Sequence, residues 1–295
     1  KAEEMRAQGQ NPFANDFKVT HVASQLASQF EEFSTEELDQ SIKEGQAVTF
    51  SIAGRLMAKR SFGKVAFGSL RDRSGDLQLS FFKLELSTEI WSSMKKSDLG
   101  DIIGCEGMMM RTQKGELSLK VTHFRVLTKS LRPLPDKFHG LTDTATRYRQ
   151  RYVDLIVTPE ARETFKMRSK ALKYLREFFD TRDYMEVETP MLQPLYGGAA
   201  AKPFETYHNA LDMELYMRIA PELNLKRLVV GGFHRVYEIN RCFRNEGIST
   251  RHNPEFTSLE FYEAFATYED LMTLTEELIS GLAMHLHGKM TLQWG

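Results

Sequence analysis

The sequence has few cysteines, no long apolar run and almost no net charge, and each absence excludes a class of protein. Cys105 and Cys242 are the only cysteines, and no spacing of cysteine and histidine suits zinc, so a disulfide framework and a structural zinc site are excluded. No apolar stretch is long enough to span a bilayer, and the sequence shows no signal peptide. These absences predict a cytoplasmic protein. Because the formal net charge is −1, RNA binding would require a local basic patch.

What is present is the composition of an ordinary globular protein with room for two domains. The chain has 295 residues, of which 41% are hydrophobic and 27% charged, so a sizeable core can form. Residues 1–10 have the pattern of the end of a polar helix, and residues 291–295 that of the start of a strand. We therefore expect the chain to be part of a longer protein.

The first half of the chain predicts a short helix followed by a small barrel. In the N-terminal segment 1–45, Ser34 and Glu37 form a capping-box pattern that starts a helix ending near Lys43. Residues 46–129 then alternate as five short strands with turns between them, and a helical stretch at 84–95 separates the third strand from the fourth. This order fits an OB-fold, although another small barrel or a sandwich fragment remains open.

One strand of this barrel carries an aromatic residue whose role the pattern leaves undecided. Val65, Phe67, Ser69 and Arg71 share one face, since strand side chains repeat every two residues. Phe67 is either a core residue, which is the commoner fate of a strand phenylalanine, or part of an exposed platform.

The second half predicts a linker and then an α/β domain. Prolines and a glycine mark residues 130–146 as the linker, and residues 147–295 form the second domain. A long helix is expected over 160–182, an extended segment over 187–192 and a shorter helix between Pro221 and Gly231. Two long strands follow, at about 233–243 and 255–264, before a final helix capped at Thr267.

The stretch 241–257 is the most informative part of the sequence. It runs from strand to loop to strand, and its loop is dense in guanidinium, carboxylate and imidazole groups. Arginine binds phosphate oxygens through two hydrogen bonds, and Phe256 could stack on a purine. Phe256, Ser258, Glu260 and Tyr262 share one strand face, which is unusual for a core and suits the floor of a pocket. The alternative is a solvated hairpin whose charges pair with one another.

These residues resemble motif 2 of the class II aminoacyl-tRNA synthetases. The segment 185–190 and the helix before it resemble motif 1, which forms much of the dimer interface in that family. Residues 147–155 resemble the start of the catalytic domain in the subgroup with an N-terminal OB-fold. Within this subgroup the stretches 197–204, 218–223 and 260–262 are similar to the bacterial-type lysyl enzymes. The resemblance implies an α+β multidomain protein, with an OB-fold barrel followed by part of an antiparallel-sheet catalytic domain.

The resemblance implies a ligase that joins L-lysine to tRNA(Lys) with ATP and Mg²⁺, and that forms a homodimer through motif 1. It places Arg244 on the α-phosphate of ATP as the catalytic residue. The implied ATP contacts are Arg244, Glu246, His252, Asn253 and Phe256. The implied lysine contacts are Gly198, Glu222, Glu260 and Tyr262. The implied anticodon contacts are Arg60, Phe67, Gln78 and Glu116.

Two physical arguments bear on the lysine contacts. A buried ammonium needs carboxylates and hydrogen-bond acceptors around it, and Glu222 and Glu260 supply two carboxylates. Glu222 is equally well explained as an acidic residue at a helix start, where the helix dipole favours it.

The sequence departs from the family in what it lacks. Motif 3 and the carboxylates that hold magnesium in the family are absent up to Gly295, so we expect a chain truncated before motif 3. Lys202 replaces the usual arginine, which puts a bidentate contact there in doubt. Two other functions stay open: an RNA-binding fragment without ligase activity, and aspartyl or asparaginyl specificity, which would call for a different pocket from one built on Glu222 and Glu260.

Overall fold

A computed structural model describes residues 1–135, 141–249 and 251–293, and the chain divides into two compact units, Lys1–Thr158 and Pro159–Gly295. Parts of the predicted linker and of the predicted C-terminal strand, residues 136–140 and 294–295, lie outside the described residues. No helix in the described ranges has the length and apolarity needed to cross a membrane. Both cysteines are free and buried.

The first unit opens with short helices packed around a barrel. These are α1 (Ala2–Ala7), α2 (Ala23–Gln29) and α3 (Thr35–Lys43). The backbone N–H of Glu37 donates to Ser34 Oγ, and the Glu37 carboxylate accepts from the Ser34 N–H. The predicted capping box of α3 is therefore confirmed, whereas α2 was not predicted.

Five strands form a closed barrel in the order β1-β2-β3-β5-β4, as an OB-fold requires. The elements are β1 (Phe50–Phe62), β2 (Val65–Arg71), β3 (Asp76–Phe82), α4 (Thr88–Lys96), β4 (Ile102–Arg111) and β5 (Leu117–Thr128). The predicted OB-fold is thus confirmed. The helix between the third and fourth strands begins later than the predicted residue 84, because Ser87 accepts the N–H of Ile90 as its N-cap.

The barrel core takes alternate residues of each strand. Leu70, Leu79 and Leu119 are fully buried and belong to one cluster with residues of β1 and β4. Ser69 and Arg71, the neighbours of Leu70 on β2, and Gln78 on β3 are only partly buried and lie on the outer face of the barrel.

Two further helices, α5 (Thr144–Arg149) and α6 (Arg151–Val157), complete the first unit. The buried Asp154 accepts hydrogen bonds from Arg147, Arg151 and Thr158. This cluster ties the segment together and belongs to the unit that contains the barrel. The domain bounds at 45, 129 and 146 stay predictions.

The described part of the second unit contains two three-stranded sheets, a larger one and a smaller one with shorter strands, together with three helices. Its elements are α7 (Pro159–Asp180), β6 (Met185–Glu186), β7 (Leu192–Gln193), β8 (Glu205–His208), β9 (Met213–Met217), α8 (Glu222–Val230), β10 (Arg235–Phe243), β11 (Glu255–Glu263) and α9 (Tyr268–His287). The larger sheet has the order β11-β10-β6, with β10 and β11 antiparallel and β6 parallel to β10. The smaller sheet has the order β7-β9-β8, and its β8–β9 pair was not predicted.

One face of the β10–β11 pair packs against α7 and α9. Phe179 of α7 stacks on Tyr237 of β10 with ring centroids 4.8 Å apart, and Leu278 of α9 joins the same buried cluster with Phe261 at its edge. Because alternate strand residues point in opposite directions, the other face of β10 and β11 is turned away from this core.

Candidate functional site

The strand register decides which side chains of β10 and β11 share the face opposite the core. Phe256 pairs with Cys242, Glu260 with Glu238, and Tyr262 with Val236, and directly paired residues point to the same side of a sheet. The predicted row of Phe256, Ser258, Glu260 and Tyr262 therefore faces away from the aromatic cluster around Phe179.

Glu260 and Tyr262 form the acidic end of this face. The Tyr262 hydroxyl donates to Glu260 Oε1 at 2.8 Å. Burial raises the pKa of Glu260, and repulsion from Glu222 and Glu238 adds to the rise, while the Tyr262 hydrogen bond opposes it. The position can therefore stabilise a cation, because a half-buried carboxylate crowded by two others gains by acquiring positive charge nearby.

Gly198 lies against Glu222, so two of the sequence-predicted lysine contacts are neighbours. The backbone of Gly198 has φ of 86°, and a Cβ there would lie 2.8 Å from Glu222 Cβ. Glycine permits both the left-handed conformation and the close approach. The loop before β8 is thus brought to the start of α8 where Glu222 lies.

An ammonium already lies beside Glu222. The Nζ of Lys226, one turn further along α8, is 2.6 Å from Glu222 Oε1 and 5.9 Å from the ring centre of Tyr262. This is a pair between residues i and i+4 of one helix, and the Lys226 side chain is 56% exposed.

Arg244 and Phe256 lie together at the opposite end of the strand pair. The guanidinium carbon of Arg244 is 5.2 Å from the ring centre of Phe256, a cation–π distance. The Nε of Arg244 is buried and has no hydrogen-bond partner among the described residues. An anion that accepted this hydrogen would satisfy a buried donor, which otherwise costs free energy.

The remaining predicted ATP contacts lie on the connecting loop, of which Thr250 is outside the described residues. Glu246, His252 and Asn253 are exposed. Ser249 Oγ and His252 Nδ1 are 2.8 Å apart, which closes the loop on itself. The Asn245 N–H donates to the carbonyl of Lys202 at 2.8 Å, so the loop is tied to the glycine–alanine stretch through the Lys202 main chain.

A buried ion pair on the same side of the sheet as Glu260 was not predicted from the sequence. Arg218 and Glu238 are 0% and 1% exposed, and Arg218 Nη1 is 2.6 Å from Glu238 Oε1. Arg218 Nε also donates to the carbonyl of Arg241, and Thr189 donates to Glu238 through both its N–H and its hydroxyl. The pair therefore joins the segment after β6, the end of β9 and β10.

A signal for this pair existed in the sequence. Arg218 lies between Met217 and Ile219, and Glu238 lies between Tyr237 and Ile239 on β10. A charged residue between two apolar neighbours in each segment is compatible with a buried pair.

The barrel unit contains a groove of about 880 Å³ that brings together the four predicted anticodon contacts, Arg60, Phe67, Gln78 and Glu116. Arg60 pairs with Phe67 across β1 and β2, and Gln78 of β3 pairs with Ser69 of β2. Phe67 is therefore on the outer face and half-buried.

Two of the cations near this groove are engaged by the fold itself. Lys59 Nζ donates to the carbonyls of Lys95 and Ser97 at the end of α4. Arg111 donates to main-chain carbonyls of the N-terminal segment and of Gly115. The side chains of Arg60 and of Lys114, at the β4–β5 turn, are by contrast exposed on the groove, so these are the charges that can meet a phosphate.

Comparisons with known proteins follow the same division of the chain. Residues 143–293 match the family model described as tRNA synthetases class II (D, K and N), and residues 50–127 match the model of an OB-fold nucleic acid binding domain with the name tRNA anti-codon.

Curated relatives named lysine–tRNA ligase match over the whole chain. The chain is 53% identical to that of Psychromonas ingrahamii, 54% to that of Paraburkholderia phytofirmans and 52% to that of Bacillus cytotoxicus. These matches cover 100% of the chain but 57%, 56% and 58% of the respective relatives. The chain therefore spans a little more than half the length of the relatives it matches.

Proposed function

Because the chain belongs to the class II tRNA synthetases of the D, K and N group, we propose that the protein of which it forms part activates L-lysine with ATP and transfers it to tRNA(Lys). The relatives named lysine–tRNA ligase support this specificity. The activity is proposed for a chain of the relatives' length.

The observation that carries the lysine specificity is the acidic end of the β10–β11 face. Gly198 lies against Glu222, Tyr262 donates to Glu260, and repulsion from Glu222 contributes to the raised pKa of Glu260, so two carboxylates act on this end of the face. A pocket for aspartate would need a cation free to pair with the substrate carboxylate, whereas the Lys226 ammonium is already paired with Glu222. The Glu222 and Glu260 carboxylates would repel an aspartate side chain, and an asparagine amide would leave their charges without a counterion.

Arg244 and Phe256 suit the nucleotide. In this proposal Phe256 stacks on adenine, and Arg244 uses its unpartnered Nε–H and its charge on the α-phosphate. Glu246 contacts the adenine or the end of the tRNA, and His252 and Asn253 lie near the phosphate and the ribose.

The reaction needs no covalent bond to the protein. A carboxylate oxygen of lysine attacks the α-phosphorus, the bond from that phosphorus to the oxygen bridging to the β-phosphate breaks, and pyrophosphate leaves. A hydroxyl of the terminal ribose of the tRNA then attacks the carbonyl carbon of lysyl-adenylate, loses its proton and displaces AMP. The protein contributes positioning and charge stabilisation.

Magnesium would supply further positive charge on the ATP phosphates. Among the described residues, no group of three or more His, Cys, Asp or Glu side chains could hold a metal ion. None of the steps above is assigned to the ion.

The same proposal includes a binding partner for the barrel and one for the motif 1 region. Arg60, Phe67, Gln78 and Glu116 read the anticodon of tRNA(Lys), because OB-folds stack unpaired bases on aromatic rings and contact their edges. A second copy of the chain pairs through the motif 1 region. The compartment is the cytoplasm, a reducing environment compatible with the two free cysteines.

Pyrophosphate exchange tests the proposal. A chain of the relatives' length is incubated with ATP, labelled pyrophosphate and one amino acid: lysine, aspartate or asparagine. We expect exchange with lysine alone. Exchange with aspartate or asparagine would refute the specificity. Binding of tRNA without exchange for any of the three would support the second candidate, an RNA-binding protein without ligase activity.

A further inference from the structure

The groove on the barrel contains a second aromatic ring besides Phe67. Phe62, the last residue of β1, lines the same groove and is 63% exposed. Its ring centre is 6.4 Å from that of Phe67, and the two ring planes are tilted by 58°. Rings at this angle do not stack on each other, so each can receive a base on its own face.

The strand register places Phe62 on the same face of the barrel as Arg60 and Phe67. Phe62 and Arg60 are two residues apart on β1 and therefore share a face, and Arg60 pairs directly with Phe67. The exposed guanidinium of Arg60 thus lies on the same face as both rings. Aromatic rings interleaved with cations are the usual surface for unpaired nucleotides.

The turn that carries Phe62 is held in place. Phe62 pairs with Val65 across the two-residue turn Gly63–Lys64, and Gly63 has φ of 60°, as such a tight hairpin turn requires. The carbonyl of Lys64 accepts the N–H of Lys83 at 2.9 Å, which fixes the turn to the end of β3. The ring is therefore exposed on an anchored hairpin, and little ordering would be needed on binding.

We propose that Phe62 is a second base-stacking residue of the barrel, so that Phe62 and Phe67 hold two different unpaired nucleotides of the anticodon loop. This inference rests on the proposed function, since it assumes that the ligand of the groove is a single-stranded RNA loop. A lone exposed phenylalanine would need no explanation. The anchored turn, the neighbouring ring and the flanking cation together give Phe62 the setting of a binding residue.

The test is a titration of the 295-residue chain with a fluorescent RNA hairpin that has the anticodon stem and loop of tRNA(Lys). Phe62→Leu keeps an apolar side chain but removes the aromatic face, and should weaken binding roughly 5- to 150-fold. Phe62→Tyr keeps an aromatic ring and should bind the RNA hairpin as tightly as the unmodified chain. Phe33→Leu is the matched control, because Phe33 is another exposed phenylalanine of this unit, 44% exposed, outside the groove. Melting curves of all variants should coincide.

Hairpins with one abasic loop position at a time identify the stacked bases. The effect of Phe62→Leu should disappear at one abasic position, and that of Phe67→Leu at a different one. If both effects disappear at the same position, or if Phe62→Leu binds as Phe33→Leu does while Phe67→Leu is weakened, the inference is wrong and the proposed function stands. If neither groove variant affects binding, the anticodon role of the barrel is wrong as well.

Discussion

Removing the positive charge of the buried pair Arg218–Glu238 should destabilise the second unit by several kcal/mol. Arg218→Met keeps most of the side-chain volume but leaves the Glu238 carboxylate, 1% exposed, without a cation. Two unit charges about 4 Å apart interact by about 4 kcal/mol at an effective dielectric constant of about 20. Breaking a buried pair by removing one partner typically costs about 3–5 kcal/mol. We therefore expect a loss of about 3–5 kcal/mol in the free energy of unfolding.

Two further variants separate this cost from a general packing effect. Arg176→Met removes an exposed pair with Glu186, whose side chains are 44% and 34% exposed, and should cost less than about 1 kcal/mol. The double variant Arg218→Met, Glu238→Gln removes the unpaired charge and keeps an acceptor for the Thr189 N–H. It should recover most of the loss, because the penalty arises from the uncompensated carboxylate.

The assay must report on the second unit, since the chain has two compact units and a single transition is not assured. Urea unfolding followed by hydrogen–deuterium exchange of peptides from β10 and β11 gives the stability of the sheet that carries Glu238. Equal and small losses for Arg218→Met and Arg176→Met would refute the reasoning. A double variant as unstable as Arg218→Met would show that lost packing or lost hydrogen bonds dominate.

Three more predictions concern the candidate site in a chain of the relatives' length. Arg244→Ala should lower pyrophosphate exchange at least about a hundredfold, since one preorganised charge is worth roughly 3 kcal/mol; unchanged exchange would remove Arg244 from the reaction. Glu260→Gln should raise the KM for lysine far more than that for ATP, and equal changes would make Glu260 structural. Because the pKa of Glu260 is raised, lowering the pH should protonate Glu260 and weaken lysine binding before the pH reaches the usual carboxyl range. Over the same pH range, protonation of Glu260 stabilises the free protein. The dependence of the KM for lysine on pH should be flatter in Glu260→Gln. Gly198→Ala should weaken lysine binding and spare ATP, since its Cβ would lie 2.8 Å from Glu222 Cβ, and an unchanged KM for lysine would contradict that geometry.

Local sequence patterns were sufficient to predict most of the helices and strands. The capping box at Ser34 and the alternation in β2 and β3 were predicted because each depends on residues within one turn or one strand. The β8–β9 pair was missed, and the helix now seen as α4 was started too early. A short two-stranded pair depends on contacts between strands that no local pattern contains.

By itself, the sequence determined the resemblance to class II synthetases, which implied the OB-fold, and the residues that share each strand face, because these depend on residue type and on fixed local periods. The tertiary structure decided what lies opposite each face. It turned Phe67 outward beside Phe62, brought Gly198 against Glu222, and buried Arg218 in an ion pair with Glu238. These outcomes depend on strand register and on contacts between segments far apart in the chain, where one residue of shift would exchange a buried side chain for an exposed one.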